Sequence, residues 1–396
     1  MLRRTIAPKL ASIAKQFPVV VLTGPRQSGK TTLAKMVFPG YAYVSLENLD
    51  NRDFAVRDPR GFLAQYGNRV IIDEAQKDPD LLSYIQTAVD EDGSRSLILT
   101  GSQQFNLLAK VSQSLAGRAA YLRLLPFSLS ELSRNVPQNP RNYHGAARKD
   151  RPHALKLNEI LFQGLYPRIH DHKLNAPDFL ESYTSAYVER DVREVLRIGD
   201  LMNFQRFVQL CAGRSGQILN FSALASDCGI THPTARQWLS VLEASSIVHF
   251  LQPYHNNFSK RIMKSPKLYF IDTGLMCHLL KIRSAKDLVG HPLYGSIYET
   301  FVVSEMLKAF SHRGERAALY YWRDRTGHEV DVLLDLGTRL TAIEIKAGQT
   351  ISSDYFKGLK YFSGLKGVRA DCVLVYGGEE SALREGVRTR TWWQVS

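Results

Sequence analysis

Four short apolar runs punctuate the first third of the chain: Val19–Leu22, Tyr41–Leu46, Val70–Ile72 and Leu97–Leu99. They are rich in β-branched residues and alternate with stretches of helical character. Continuous apolar runs of this length mark strands buried on both faces, so the pattern predicts a mainly parallel sheet covered by helices. From Arg134 to Lys156 the apolar positions thin out into "RNVPQNPRNYHGAARKDRPHALK", which predicts an exposed loop or linker. Residues 157–245 read as mostly helical.

Residues 221–253 carry a tighter pattern. Ser222 is placed to cap a short helix ending at Gly229, and Thr231 to cap a second, with Pro233 in its first turn where no N–H is missed. Ala235, Trp238, Leu239 and Leu242 fall on one face of that second helix; His232, Arg236, Gln237 and Ser240 fall on the other. A hairpin follows, "SIVHFLQPY", "HNN" and "KRIMKSPKLYF", whose Lys260, Arg261, Lys264 and Lys267 make its second half basic. The whole looks like a winged helix. Arg236 and Gln237 are types that reach base edges, and Lys260, Arg261 and Lys264 types that reach phosphates, so duplex DNA is the expected partner. The competing reading is a module that packs on protein, because a fold does not fix a function.

From about Gly295 the order is helix, three strands, helix, strand, and it looks like the core of the restriction-endonuclease-like, PD-(D/E)xK, fold. Glu344 and Lys346 share one strand face, with Ile343 and Ile345 on the other. Asp331 lies on the adjacent strand and Glu299 on the first helix. By that resemblance Asp331 and Glu344 would hold Mg²⁺, Lys346 would orient or help deprotonate a water, Glu299 would be a further carboxylate and Glu329 a spare one. The same spacing arises by chance, and such a fold can be kept while cleavage is lost.

Bulk composition narrows the partners. A length of 396 residues, 44% of them hydrophobic, suits two or three domains. The formal charge of +13 favours an anionic partner, nucleic acid or membrane. The first apolar run, "VVVL", is too short for a signal peptide, and no stretch approaches a membrane span, so neither export nor a membrane partner is expected. Cys211, Cys228, Cys277 and Cys372 are scattered without CxxC spacing, which argues against a disulfide framework or zinc site and for the cytoplasm.

The most specific motif is "VVVLTGPRQSGKTTLAKMV", a strand running into Gly24-x-x-x-x-Gly29-Lys30-Thr31 and then a helix. Gly24, Pro25, Arg26, Gln27, Ser28, Gly29, Lys30, Thr31 and Thr32 are the expected phosphate cradle, in which main-chain N–H groups and the helix N-terminus supply positive dipole. Lys30 is expected to reach the β- and γ-phosphates and Thr31 to ligate Mg²⁺. The strand ending in Asp73-Glu74 supplies a second acid for the metal and a carboxylate to polarise water. Ser102, with Thr100 or Gln103, is a candidate sensor of the γ-phosphate or else a helix cap. Arg118 is a candidate arginine finger acting on a neighbouring subunit, or else a surface arginine; the finger role requires a homo-oligomer, possible as a ring.

With "LTGPRQSGKTT", "VIIDEAQ", "ILTGSQ" and "GRAAYLRLLPFSLSEL" in the first part, and "FQGLYPRIH", "YVERDV", "PKLYFIDTGL", "YETFVVSEML" and "GHEVDVLL…IEIK" in the second, the chain resembles the AAA-type ATPases of the AAA_14 class fused to a DUF4143 region. The resemblance implies ATP binding and hydrolysis, and an α/β ASCE-type sheet with the sensor strand between the P-loop and Asp73 strands. The expected division is an ATPase core over 1–133, linker and helical lid over 134–215, winged helix over 216–290 and nuclease-like unit over 291–396. Two functions remain open: an ATPase that engages DNA, or an ATP-switched signalling or scaffold protein whose C-terminal units bind protein and do not cut DNA.

Overall fold

The computed structural model describes residues 2–101, 114–145, 155–189, 201–254 and 265–396. Ser102, Gln103, Lys260, Arg261 and Lys264 lie outside the described residues.

Strands β1 (Val19–Thr23), β2 (Ala42–Ser45), β3 (Arg69–Asp73), β4 (Ser96–Thr100) and β5 (Ala119–Arg123) form a parallel sheet in the order β2-β3-β4-β1-β5. The strand ending at Thr100 therefore lies between the P-loop strand and the Asp73 strand, as expected. Alternate residues feed two cores: Val19, Val21, Ile72 and Leu99 on one face, Val20, Leu22, Ile71 and Ile98 on the other. Burial on both faces is why these strands read as unbroken apolar runs. Because the strands are parallel, Thr23, Asp73 and Thr100 gather at one edge, where ligands of open α/β sheets bind.

A second sheet has eight strands: β6 (Val248–Pro253), β7 (Lys267–Phe270), β8 (Leu319–Arg323), β9 (Glu329–Asp335), β10 (Leu340–Lys346), β11 (Ala370–Tyr376), β12 (Leu383–Arg384) and β13 (Val387–Thr391). Their order is β12-β13-β11-β10-β9-β8-β6-β7. The second sheet draws strands from both sides of residue 290. The hairpin strand β6 pairs in parallel with β8, Gln252 opposite Tyr320 and Pro253 opposite Tyr321. One buried core also runs from Leu125 to Val395.

The start of the expected linker is likewise built in. Tyr143 is buried, its hydroxyl donates to the Val395 carbonyl at 2.7 Å, and Arg390 donates from Nε to the Tyr143 carbonyl at 2.6 Å. The Gln138 N–H also donates to the Ser396 carbonyl at 2.9 Å, and Pro140 is buried. Residues 146–154 lie outside the described set.

Helices Phe221–Cys228 and His232–Ala244 form where the pattern places them. The first is capped by Asn220, whose side chain accepts from the Ala223 N–H at 3.0 Å, rather than by Ser222, which falls inside the helix. Thr231 caps the second, accepting from Thr234 N–H at 3.3 Å. Trp238 meets Phe204 and Phe207 edge-on at 5.2 and 5.1 Å, a burial worth about 1.5–3 kcal/mol for each large side chain.

The helix Tyr294–Ser311 is buried along most of its length and touches both halves. Glu305 accepts from the Leu129 N–H at 2.7 Å, and the Ser311 hydroxyl donates to the Arg123 carbonyl at 2.7 Å. Among the described residues no helix is long and apolar enough to cross a membrane. The four cysteines are unpaired.

Candidate active site

The turn between β1 and the helix Lys30–Val37 depends on its two glycines. A Cβ on Gly24 would stand 2.0 Å from the Leu124 carbonyl oxygen, and Gly29 turns the chain at φ 90°, a region L side chains rarely adopt. The loop so formed wraps back over Lys30, whose Nζ donates to the carbonyls of Gly24 at 3.1 Å and Pro25 at 2.9 Å. From behind, Arg4 donates from Nη1 to the Ser28 carbonyl at 2.8 Å.

Asp73 ends β3 beside this loop. Its buried carboxylate accepts from the hydroxyls of Thr31 and Tyr43, both at 2.9 Å, and from Thr100. Burial and the Asp73 charge push the Tyr43 hydroxyl up to about 12, so it remains a donor at neutral pH. The Thr31 hydroxyl and the Asp73 carboxylate are therefore adjacent hard-oxygen donors, the set that suits Mg²⁺. Glu74 follows in the left-handed conformation at φ 55°, uncommon for this residue type, and its carboxylate accepts from the Gln76 amide.

A cavity of about 390 Å³ lies against the loop, Thr31 and Glu74, inside the roughly 300–1,000 Å³ range of small-molecule sites; Asp73, Tyr43 and Thr100 do not line it. Arg26, Gln27, Gly29, Lys30, Thr31, Thr32 and Glu74 line one side; Gly24, Pro25 and Ser28 build the loop without lining the cavity. The other side is supplied by Leu2, Arg4, Phe127 and the short helix Pro167–Asp171 with its neighbour His172. Arg168, Asp171 and His172 were not anticipated. Their one trace in the sequence is a Gly164-x-x-Pro167 turn followed by a basic residue.

Arg118 sits elsewhere. Its carbonyl accepts from Val19 N–H at the amino end of β1, on the order of 15 Å of strand from the loop. Its guanidinium is paired with Asp90, Nη2 to Oδ2 at 2.8 Å. Within one chain it does not reach the cavity.

A second polar cluster forms where β7, β9, β10 and the helix Tyr294–Ser311 meet. It brings together Glu299, Glu329, Asp331, Glu344 and Lys346, and adds a residue assigned to the wing, Lys267. That placement is corrected here: Lys267 is 3% exposed, and its Nζ lies 3.3 Å from Glu299 Oε1 and 3.9 Å from Asp331 Oδ1 while also pairing with Glu329. A strand residue at the sheet's end points inward, so a basic run in sequence is not a basic surface. The Tyr269 hydroxyl donates to Glu299 Oε1 at 2.5 Å, and the Ile345 N–H donates to Asp331 Oδ2 at 2.8 Å. Lys346 pairs with Glu344 Oε1 at 2.7 Å, leaving Oε2 buried without a hydrogen-bond partner. Burial and the Asp331 charge push Glu299 up to about 7 and Glu344 up to about 8. Burial alone would lower Lys267, but the surrounding Tyr269, Glu299, Asp331 and Glu329 hold it well above its usual range.

On the helix His232–Ala244, Arg236 and Gln237 are exposed. The Arg236 guanidinium lies over the Phe221 ring, 4.9 Å from its centre.

The AAA domain model matches residues 16–133, a domain of unknown function (DUF8612) matches 154–286, and a domain of unknown function (DUF4143) matches 294–393. The uncharacterized protein Rv2008c of Mycobacterium tuberculosis is 31% identical over 356 residues, 88% of this chain and 75% of that one. The uncharacterized protein Mb2031c of Mycobacterium bovis shows the same values. Among solved structures, a Walker-type ATPase of Pyrococcus abyssi is 16% identical, with 69% of this chain and 94% of that one covered and a TM-score of 0.42. A signal transduction ATPase with numerous domains and a tetratricopeptide repeat sensor, from Pyrococcus horikoshii, is 14% identical, with 77% and 46% covered and a TM-score of 0.26.

Proposed function

This chain belongs to the AAA-type ATPases that carry a C-terminal DUF4143 region, and on that premise we propose that it is a Mg²⁺-dependent ATPase whose C-terminal half engages DNA. The observation that carries the ATPase reading is the contact of Thr31 with Asp73 at 2.9 Å beside a glycine-bounded loop that holds Lys30. The loop amides and the start of the helix Lys30–Val37 receive the phosphates. Lys30 exchanges the carbonyls of Gly24 and Pro25 for phosphate oxygens. Thr31 and Asp73 would hold Mg²⁺, which would neutralise charge developing on the phosphates. Glu74, at the cavity wall, orients the attacking water and accepts its proton. Arg168 and His172 line the same cavity as the loop and would meet the bound nucleotide there. Arg118 completes the site of a neighbouring subunit in a homo-oligomer.

For DNA, the supports are the exposed Arg236 and Gln237, the +13 charge, and the helix–turn–helix they stand on. The order β8-β9-β10-β11 with helices Tyr294–Ser311 and Lys357–Ser363 supports a nuclease-like core. Two measurements test the reading. Glu74→Gln should retain ATP binding and lose turnover; undiminished hydrolysis removes Glu74 from the reaction. Duplex DNA binding should weaken steeply with salt, as counterion release requires; no binding at low salt favours the protein-scaffold alternative.

A further inference from the structure

We propose that the C-terminal carboxylate cluster holds no divalent metal, because Lys267 is its built-in cation. The inference rests on the nuclease-like reading of this region and limits what that region does: it engages its partner without metal-dependent strand cleavage.

The reasoning is local. A PD-(D/E)xK site needs carboxylate oxygens free to converge on Mg²⁺. Here the Lys267 ammonium is buried against Glu299, Glu329 and Asp331. Glu299 Oε1 also receives Tyr269, Asp331 Oδ2 receives the Ile345 amide, and Glu344 Oε1 is paired with Lys346. Glu299 Oε1, Asp331 Oδ2 and Glu344 Oε1 are thus engaged; Glu344 Oε2 is without a hydrogen-bond partner, and the other Asp331 oxygen faces the Lys267 ammonium at 3.9 Å. A divalent ion beside Asp331 would have to sit within contact range of a fixed positive charge in a poorly solvated site, where repulsion between like charges is strong. Swinging Lys267 into water would take this cation from Glu299 and Asp331, while Glu329 keeps Arg323 at 3.5 Å. Among the described residues, no group of three or more His, Cys, Asp or Glu side chains is arranged to hold a metal ion.

Manganese is the probe, added to the nucleotide-free full-length chain carrying Asp73→Asn, which removes the carboxylate ligand of the ATP site, and counted by electron paramagnetic resonance. This protein should bind no Mn²⁺ that Asp331→Asn removes. Adding Lys267→Met should create a Mn²⁺ site, and Asp331→Asn should abolish it. Mn²⁺ bound by the parent and released by Asp331→Asn overturns the proposal. So does a folded Lys267→Met protein that binds none, since Lys267 is then not what excludes the ion. If the Met variant loses its cooperative melt, Lys267→Gln replaces it, and the parent's own binding still decides. The readout is independent of DNA binding, so failure here and failure of the DNA reading are separable.

Discussion

Arg4 offers the sharpest test of how the ATP site is attached to the rest of the molecule. Its side chain is buried, pairs with Glu131 at 3.2 Å, and donates to the carbonyls of Ser28 at 2.8 Å and Leu125 at 2.6 Å. His312 stands 3.5 Å from Glu131, but burial lowers it to about 4, so it is neutral at pH 7 and Arg4 is the cation facing this carboxylate. Arg4→Met keeps much of the volume and removes the charge. Stranding a buried carboxylate costs about 3–5 kcal/mol. Glu131 still accepts from Thr5 and Ser128 N–H, at 2.7 and 3.0 Å, which places the loss near 3 kcal/mol, roughly. The double variant Arg4→Met/Glu131→Gln removes the stranded charge while a Gln can still close the capping box with Ser128. Thermal melts of the two variants should show a drop of several degrees for the single change and partial recovery for the double. ATP affinity should fall in both, because the Ser28 carbonyl has lost its anchor either way. A single variant that melts with the wild type, or a double variant no more stable than the single, refutes the assignment of Arg4 as the counter-charge.

Two further outcomes follow from the same geometry. A buried neutral histidine binds its proton more readily when the chain is unfolded. The stability that His312 contributes is therefore present above about pH 6.5 and lost as pH falls toward about 4, by up to roughly 3 kcal/mol; urea melts at pH 7 and pH 4.5 should diverge, and His312→Gln should narrow the gap. If it does not, the histidine is already solvated or charged. For the subunit contact, mixing Lys30→Ala with Arg118→Ala protein should restore part of the hydrolysis that each lacks alone, because one supplies an intact loop and the other an intact finger. Mixtures no more active than their components would leave Arg118 as the surface partner of Asp90.

Local patterns were legible where a residue's role is set by its near neighbours. The β1 apolar run, the two glycines, Lys30 and Thr31 lie within one strand–loop–helix, and the Thr231 cap with Trp238 and Leu242 lies within one helix. Asn220 and Ser222 are both capping types two positions apart, so the pattern found the helix and missed its start. What the sequence concealed is long-range. Lys267 looks like part of a basic wing until β7 joins the second sheet and brings it to Glu299, Glu329 and Asp331. Arg4 reads as part of a basic N-terminus until folding sets it against Glu131. Arg168 and His172 reach the nucleotide cavity through a turn whose direction no periodicity encodes. The pairing of β6 with β8 is concealed for the same reason, because it joins positions far apart in the chain.

Phosphate release at saturating ATP and Mg²⁺, compared between wild type and Lys30→Ala, bears most directly on the central reading. Loss of the ammonium that meets the transferring phosphate should lower turnover at least about a hundredfold. Equal rates in the two proteins would mean that hydrolysis, if any, takes place somewhere other than the loop between Gly24 and Thr31.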